Sequence, residues 1–149
     1  MQELKGKVIQ WAEDKGIFAN SDPISQFLKT ISEVGELADA VNKNDLPEIK
    51  DAIGDTTVTL ILHAEMTDNE IDFETDEGVY FKDIKERVAY LYYSIYVVHE
   101  LKEYDDAIGM LKYISEYYGW TLQECLQSAY DVISKRTGKM ENGVFIKDA

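Results

Sequence analysis

Glu33-Val-Gly-Glu36 and Asp51-Ala-Ile-Gly-Asp55 set four carboxylates at helical spacing within one short stretch. Residues three or four apart are neighbours on a helix surface, so each pair can present its oxygens on one side. Two such helices packed antiparallel would bring the acids to one point. That point would suit a hard divalent cation, Mg2+ first and Mn2+ as the alternative, and such cations serve phosphate chemistry. The competing reading is an ordinary solvated face, because 29 acidic residues in a chain of 149 produce some such pairs by chance. The sequence beyond Asp55 counts against it. From Thr56 to Ala64 only His63 can carry charge, so this helix is enclosed on most sides. A carboxylate leading into an enclosed segment stays ionised only if it is paired or metal-bound.

The elements that must position these acids are legible as helices. Asp22-Pro23 supplies an N-cap and a first-turn proline, and Pro47 plays the same first-turn part after Asn44, Asp45 and Leu46. Ile24, Phe27, Leu28, Ile31, Val34, Gly35, Ala38 and Val41 recur at helical spacing. From Glu48 to about Met66 a second helix carries Ile49, Ile53, Leu60 and Ala64 on one face. A polar turn around Asn42 to Asp45 joins the two as a helical hairpin. Gln2 to about Asp14 reads as a leading helix, and the acidic stretch Thr67 to Gly78 as an unpatterned, mobile loop. Ile84, Val88, Leu91, Ile95 and Val98 follow a near-heptad spacing. Asp105 and Asp106 open a helix with Ile108, Leu111 and Ile114 inward, closing at Gly119. Thr121 and Glu124 form a capping box for a last helix with Leu122, Cys125, Leu126, Ala129 and Ile133 at core spacing. The tail after Gly138 can be extended, but no strand alternation stands out. The expected fold is all-α, a bundle of about five to six helices. Asp51-Ala-Ile-Gly54 is echoed by Asp106-Ala-Ile-Gly109, where Met110 replaces the second acid.

Composition narrows the function classes. The length fits one domain, 1–149, and 45% hydrophobic with 30% charged residues fits a globular chain. A net charge of -14 argues against a nucleic-acid polymer and against an anionic membrane as partners. The single Cys125 fits a reducing cytoplasm, no signal peptide is apparent, and the longest uncharged run, Val88 to Val98, is too short to span a bilayer. A cytoplasmic location is expected. Val88 to Val98 is also apolar or aromatic nearly all round, and the tyrosines at 90, 92, 93, 96, 113, 117 and 118 suit packing and interfaces. A homo-oligomer, dimer or tetramer, follows as an expectation. His63 and Cys125 read as core residues, and Trp11 and Phe18 as either packing or base-stacking residues.

Lys29-x-x-x-Glu33-x-Gly-Glu36-Leu37, a short turn, then Gly54-Asp55 and an apolar run resembles the MazG-like nucleoside triphosphate pyrophosphohydrolases. The ending Lys135-Arg136-Thr-Gly138-Lys139-Met140-Glu-Asn-Gly143-Val-Phe145 looks like that of small, phage-type members, and Trp11-Ala12-Glu-Asp-Lys-Gly16 like the family's opening helix. The resemblance covers about residues 5 to 66 and 119 to 147, with a helical insertion at about 67–118. It implies hydrolysis of a (deoxy)nucleoside triphosphate to the monophosphate and pyrophosphate. Mg2+ would be held by Glu33, Glu36, Asp51 and Asp55, with Glu33 and Glu36 also catalytic. Lys29, Lys135, Arg136, Lys139 and Trp11 would contact the nucleotide, although the basic cluster also suits a plain helix C-terminus. Two positions depart from the family's pattern: Ser32 and Ala52 stand where it has glutamates, with Asp51 as the substitute for the second. Those departures define the alternative, a catalytically silent metal- or nucleotide-binding or assembly module of the same fold.

Overall fold

A computed structural model describes Met1–Ala149. The chain forms α1 (Gln2–Asp14), α2 (Ile17–Asn20), α3 (Pro23–Lys43), α4 (Leu46–Met66), α5 (Ile84–Leu101), α6 (Asp105–Tyr117), α7 (Leu122–Ile133) and a hairpin of β1 (Gly138–Glu141) and β2 (Val144–Lys147). The helix starts follow the caps. The Asp22 carboxylate accepts from the Ser25 N–H at 2.7 Å and Asp45 from the Glu48 N–H at 3.3 Å, with Pro23 and Pro47 in the first turns. Thr121 Oγ1 accepts from the Glu124 N–H at 3.1 Å at the start of α7. Asn44 in the left-handed region (φ 51°) ends α3 and lets α4 begin within two residues. The all-α reading holds.

Helix α4 is the axis of the bundle. Every residue from Thr56 to Ala64 is buried, with α3 packed along one side and α7 along another. Its hydroxyl-bearing residues are satisfied internally: Thr56 donates to the Ala52 carbonyl (2.7 Å) and Thr57 to that of Ile53 (2.8 Å). Gly54 makes the α7 contact close. A Cβ there would stand 2.3 Å from the Cys125 carbonyl oxygen and 2.6 Å from the Ala129 methyl. The remaining helices complete one core of 34 buried apolar residues, with α5 resting on α3 and paired with α6. No helix is long and apolar enough to cross a membrane.

Three features differ from the sequence reading. The stretch after α4 is not an unpatterned mobile loop: Ile71, Phe73 and Thr75 are buried in alternation with exposed acids. Lys112 Nζ donates to the carbonyls of Phe73 (3.2 Å) and Thr75 (2.9 Å), and a Cβ on Gly109 would overlap the Glu77 carbonyl. Its acids masked an alternating pattern that ties the loop to α6. The tail is extended as expected, and it forms a true antiparallel hairpin pairing Gly138 with Lys147. The signal missed was Asn142-Gly143, both at positive φ, which is the preferred two-residue hairpin turn. The short α2 carried no periodic signal. As for the repeated Asp-Ala-Ile-Gly, each copy puts its glycine where another backbone comes too close for a side chain.

Gly54→Ala should therefore cost about 1–3 kcal/mol of stability by overpacking, measured by urea unfolding. Gly6→Ala, at an α1 position with nothing within 4 Å of the added methyl, should instead gain about 0.5–1 kcal/mol.

Candidate functional site

The helical hairpin α3–α4 brings the four acids into one electrostatic neighbourhood. Glu33 lies on the flank of α3 facing α4 and is 5% exposed. Its Oε1 is 3.2 Å from Lys29 Nζ, one turn earlier, while its Oε2 is buried with no hydrogen-bond partner. Burial pushes the Glu33 carboxyl up; the Lys29 charge opposes that shift and the Glu36 charge adds to it. On α4, half-buried Asp55 is pushed up to about 8, first by burial, then by the charges of Asp51 and Glu33, against a lowering by Arg136. Glu33 thus links the two halves of the constellation, with Glu36 beside it and Asp51 beside Asp55.

As the side chains stand, no three His, Cys, Asp or Glu groups are close enough together to clasp an ion. Lys29 and Arg136 are the cations that oppose the rise of these carboxyls, which burial drives first and the neighbouring acids increase. The donor chemistry nevertheless fits a hard cation. All donors are carboxylate oxygens, and a buried oxygen without a partner is a rare and costly state that a cation at Glu33 Oε2 would relieve.

The other residues read from the sequence divide. Arg136, just past the end of α7, is near enough to lower the Asp55 carboxyl, whereas Lys135 and Lys139 are exposed and make no ion pair. Ser32 and Glu36 are exposed; Ala52 is in the core, so only Asp51 is available at that turn. Trp11 is half-buried and packs edge-on against Phe145 (ring centroids 6.1 Å), its indole N–H buried without a partner. This contact, missed in the sequence, ties the C-terminal hairpin to α1. His63 is the core residue expected: Nδ1 lies 2.6 Å from the Tyr104 hydroxyl, and burial, with Lys102 and His99 nearby, lowers its pKa to about 4. Cys125 is buried, and burial raises its thiol.

The structure is an all-α bundle that carries four acids on one helical hairpin, with Glu33 buried, Asp51 and Asp55 half-buried and Glu36 exposed. The family model described as the MazG nucleotide pyrophosphohydrolase domain matches residues 22–87, which include all four acids and Lys29. The chain is MazG-like over that segment, and the family is one of nucleotide pyrophosphohydrolases. A protein of Haemophilus phage HP1, described as an uncharacterized 18.2 kDa protein in the rep-hol intergenic region, is 42% identical over 72 residues. The match covers 48% of this chain and 43% of the phage protein, so it spans less than half of either. No solved structure matches the chain.

The raised Asp55 carboxyl has a pH consequence. The folded state binds the extra proton, so this contribution to stability is full below about 3.8 and is lost as pH rises through about 8. His63 acts with the opposite sign, its contribution present above about 6.5 and lost as pH falls through about 4. Asp55→Asn should therefore remove a destabilisation seen on going from mildly acidic to mildly alkaline buffer, read by urea unfolding in chelator at several pH values. An unchanged pH slope would mean that Asp55 is not held in its raised state.

Proposed function

We propose that the chain hydrolyses a (deoxy)nucleoside triphosphate to the monophosphate and pyrophosphate in a Mg2+-dependent reaction. The observation that carries this reading is the buried Glu33, with its unpartnered oxygen, sharing one electrostatic neighbourhood with Asp55 inside the MazG-matched segment. Glu33, Glu36, Asp51 and Asp55 would hold the ion, Mg2+ before Mn2+. When bound, such an ion supplies positive charge to the phosphate oxygens and makes a water easier to deprotonate.

The chain's own residues supply the rest. Glu33 or Glu36 orients the attacking water and takes its proton as the water oxygen bonds to the α-phosphorus. The bond from that phosphorus to the bridging oxygen breaks, and pyrophosphate leaves with its charge. Arg136, already beside Asp55, is the best-placed cation to cover that charge; Lys135 and Lys139 are free to swing toward it, and the Lys29 charge opposes the upward push on the Glu33 carboxyl. A phosphate chain cannot approach acids of this density without cationic cover, which is why the -14 chain keeps basic residues at this end. Trp11, half-buried with its ring edge-on to Phe145, is the candidate to stack on the base. A cytoplasmic nucleotide pool would be the source of substrate.

A second reading rests on Ser32 and Ala52. The first is exposed and the second is buried in the core, so neither contributes an acid, and the module would bind metal and nucleotide without turnover. Incubation with each canonical and modified (d)NTP plus Mg2+, assayed for pyrophosphate, separates the two. Orthophosphate as product, or no product from any nucleotide, would defeat the hydrolase reading; calorimetric nucleotide binding without product would favour the silent module.

Glu36→Gln and Asp55→Asn should each abolish pyrophosphate release while leaving the circular dichroism spectrum unchanged. Asp51 lies one turn before Asp55 and about 40° around the helix axis, so both can reach one ion. Asp51→Asn should raise the Mg2+ needed for half-maximal rate at least about tenfold, the equivalent of ~1.4 kcal/mol. An unchanged Mg2+ requirement, together with loss of activity in Glu48→Gln, would transfer the fourth ligand to Glu48.

A further inference from the structure

Glu33 is not alone among the polar residues that α3 buries. Gln26 is 7% exposed and Thr30 1%, and with Glu33 they form one stripe, because residues three and four apart fall on the same side of a helix. The Thr30 hydroxyl donates to the Gln26 carbonyl at 3.1 Å and is satisfied. The Gln26 carboxamide is not, since its donor and its acceptor meet no partner in the chain. The polar side-chain atoms sealed from solvent without a partner are Trp11 Nε1 and Glu33 Oε2, so the Gln26 amide keeps a narrow opening to solvent. A buried amide that forgoes its hydrogen bonds is costly where an apolar side chain would pack as well.

The neighbours of Gln26 set it at the far end of the nucleotide site from the acids. Two turns of α3 separate it from Glu33, about 10.5 Å of rise. A Cβ on Gly143 would stand 3.2 Å from the hydroxyl of Ser25, the residue before Gln26, so the turn of the tail hairpin sits against this end of α3. Phe145 of the same hairpin meets the Trp11 ring. Arg136, just before β1, lies by Asp55. The hairpin therefore leads from the acids to the start of α3, where an aromatic ring and a free amide are brought together.

We propose, resting on the hydrolysis proposed above, that Gln26 reads the base of the substrate. With the phosphates at the acids and the base on Trp11, the amide donates to and accepts from the base's hydrogen-bonding edge. The substrate class is a nucleotide whose base carries an unmodified donor beside an acceptor on that edge. A base methylated there leaves half of the amide unpaired, whereas an apolar lining would take either form. Sites built on hydrogen bonds reject a ligand that lacks them far more strongly than apolar pockets reject an added methyl group.

The test compares the unmodified dNTP that is hydrolysed best with its edge-methylated counterpart (N1-methyl-dATP, O6-methyl-dGTP, N3-methyl-dCTP or N3-methyl-dTTP). In the wild-type chain kcat/KM should favour the unmodified form at least about a hundredfold, and in Gln26→Leu that ratio should shrink at least about tenfold. Gln26→Glu keeps the size and the acceptor but loses the amide donor, so it should shift preference toward the amino-bearing bases of dATP and dCTP over dTTP. It also carries the test if Gln26→Leu does not fold. The urea midpoint of Gln26→Leu should not fall, because no internal hydrogen bond is lost. A lowered midpoint with every nucleotide slowed alike makes Gln26 structural and overturns the proposal, as does a ratio that survives in both variants or is absent from the wild type. If no nucleotide is hydrolysed, the hydrolase reading falls by itself, and the same ratios are read from calorimetric dissociation constants. A chain that binds no nucleotide overturns both.

Discussion

The burial of α4 is the constraint on which the rest of the structure depends. A helix with no exposed residue between Thr56 and Ala64 cannot exist as a surface element, so α3, α6 and α7 must be laid around it. Its threonines turn their hydroxyls back to the carbonyl one turn earlier, leaving methyl groups to pack outward. Gly54 removes the last obstacle by letting the α7 backbone touch that of α4. The first turns of α4, where Asp51 and Asp55 stand, are left partly open, as is its end at Glu65 and Met66.

That same enclosure gives the acids their chemistry. Glu33 and Asp55 are held where water cannot fully solvate them, by helices whose positions are set by apolar packing elsewhere. The protein therefore stores a local cost at one end of a stable hairpin, the usual arrangement when charged groups must act rather than merely be soluble. Lys29 and Arg136 offset part of it from opposite elements, one on α3 and one just beyond α7.

Most of the fold was legible because its signals are local. Asp22-Pro23, Thr121 and the spacing of Leu122, Cys125, Leu126, Ala129 and Ile133 report on themselves, and each matches the helix observed. The acid pairs were legible for the same reason, since their spacing carries their geometry. What stayed hidden depends on distant partners. Nothing in Ile71-x-Phe73-x-Thr75 declares that α6 waits with Lys112 to receive it, and the surrounding acids speak for solvent. The Trp11–Phe145 contact joins residues from opposite ends of the chain, and Arg87 is buried between Tyr80 and Tyr117 with its donors on the Phe81 and Tyr113 carbonyls. The burial of Glu33 likewise arises from α4 and could not be read from α3 alone.

The two indoles sit at different seams. Trp11 meets the C-terminal hairpin through Phe145, on the α1 side of the bundle, with its N–H sealed from solvent. Trp120 stacks on Tyr118 beneath the Lys50 ammonium, where the α6–α7 turn meets α4. Intrinsic fluorescence from this chain is therefore two signals rather than one: a blue-shifted emitter that reports whether the tail hairpin is docked, and a cation-shadowed one that reports whether the α4–α7 seam is closed.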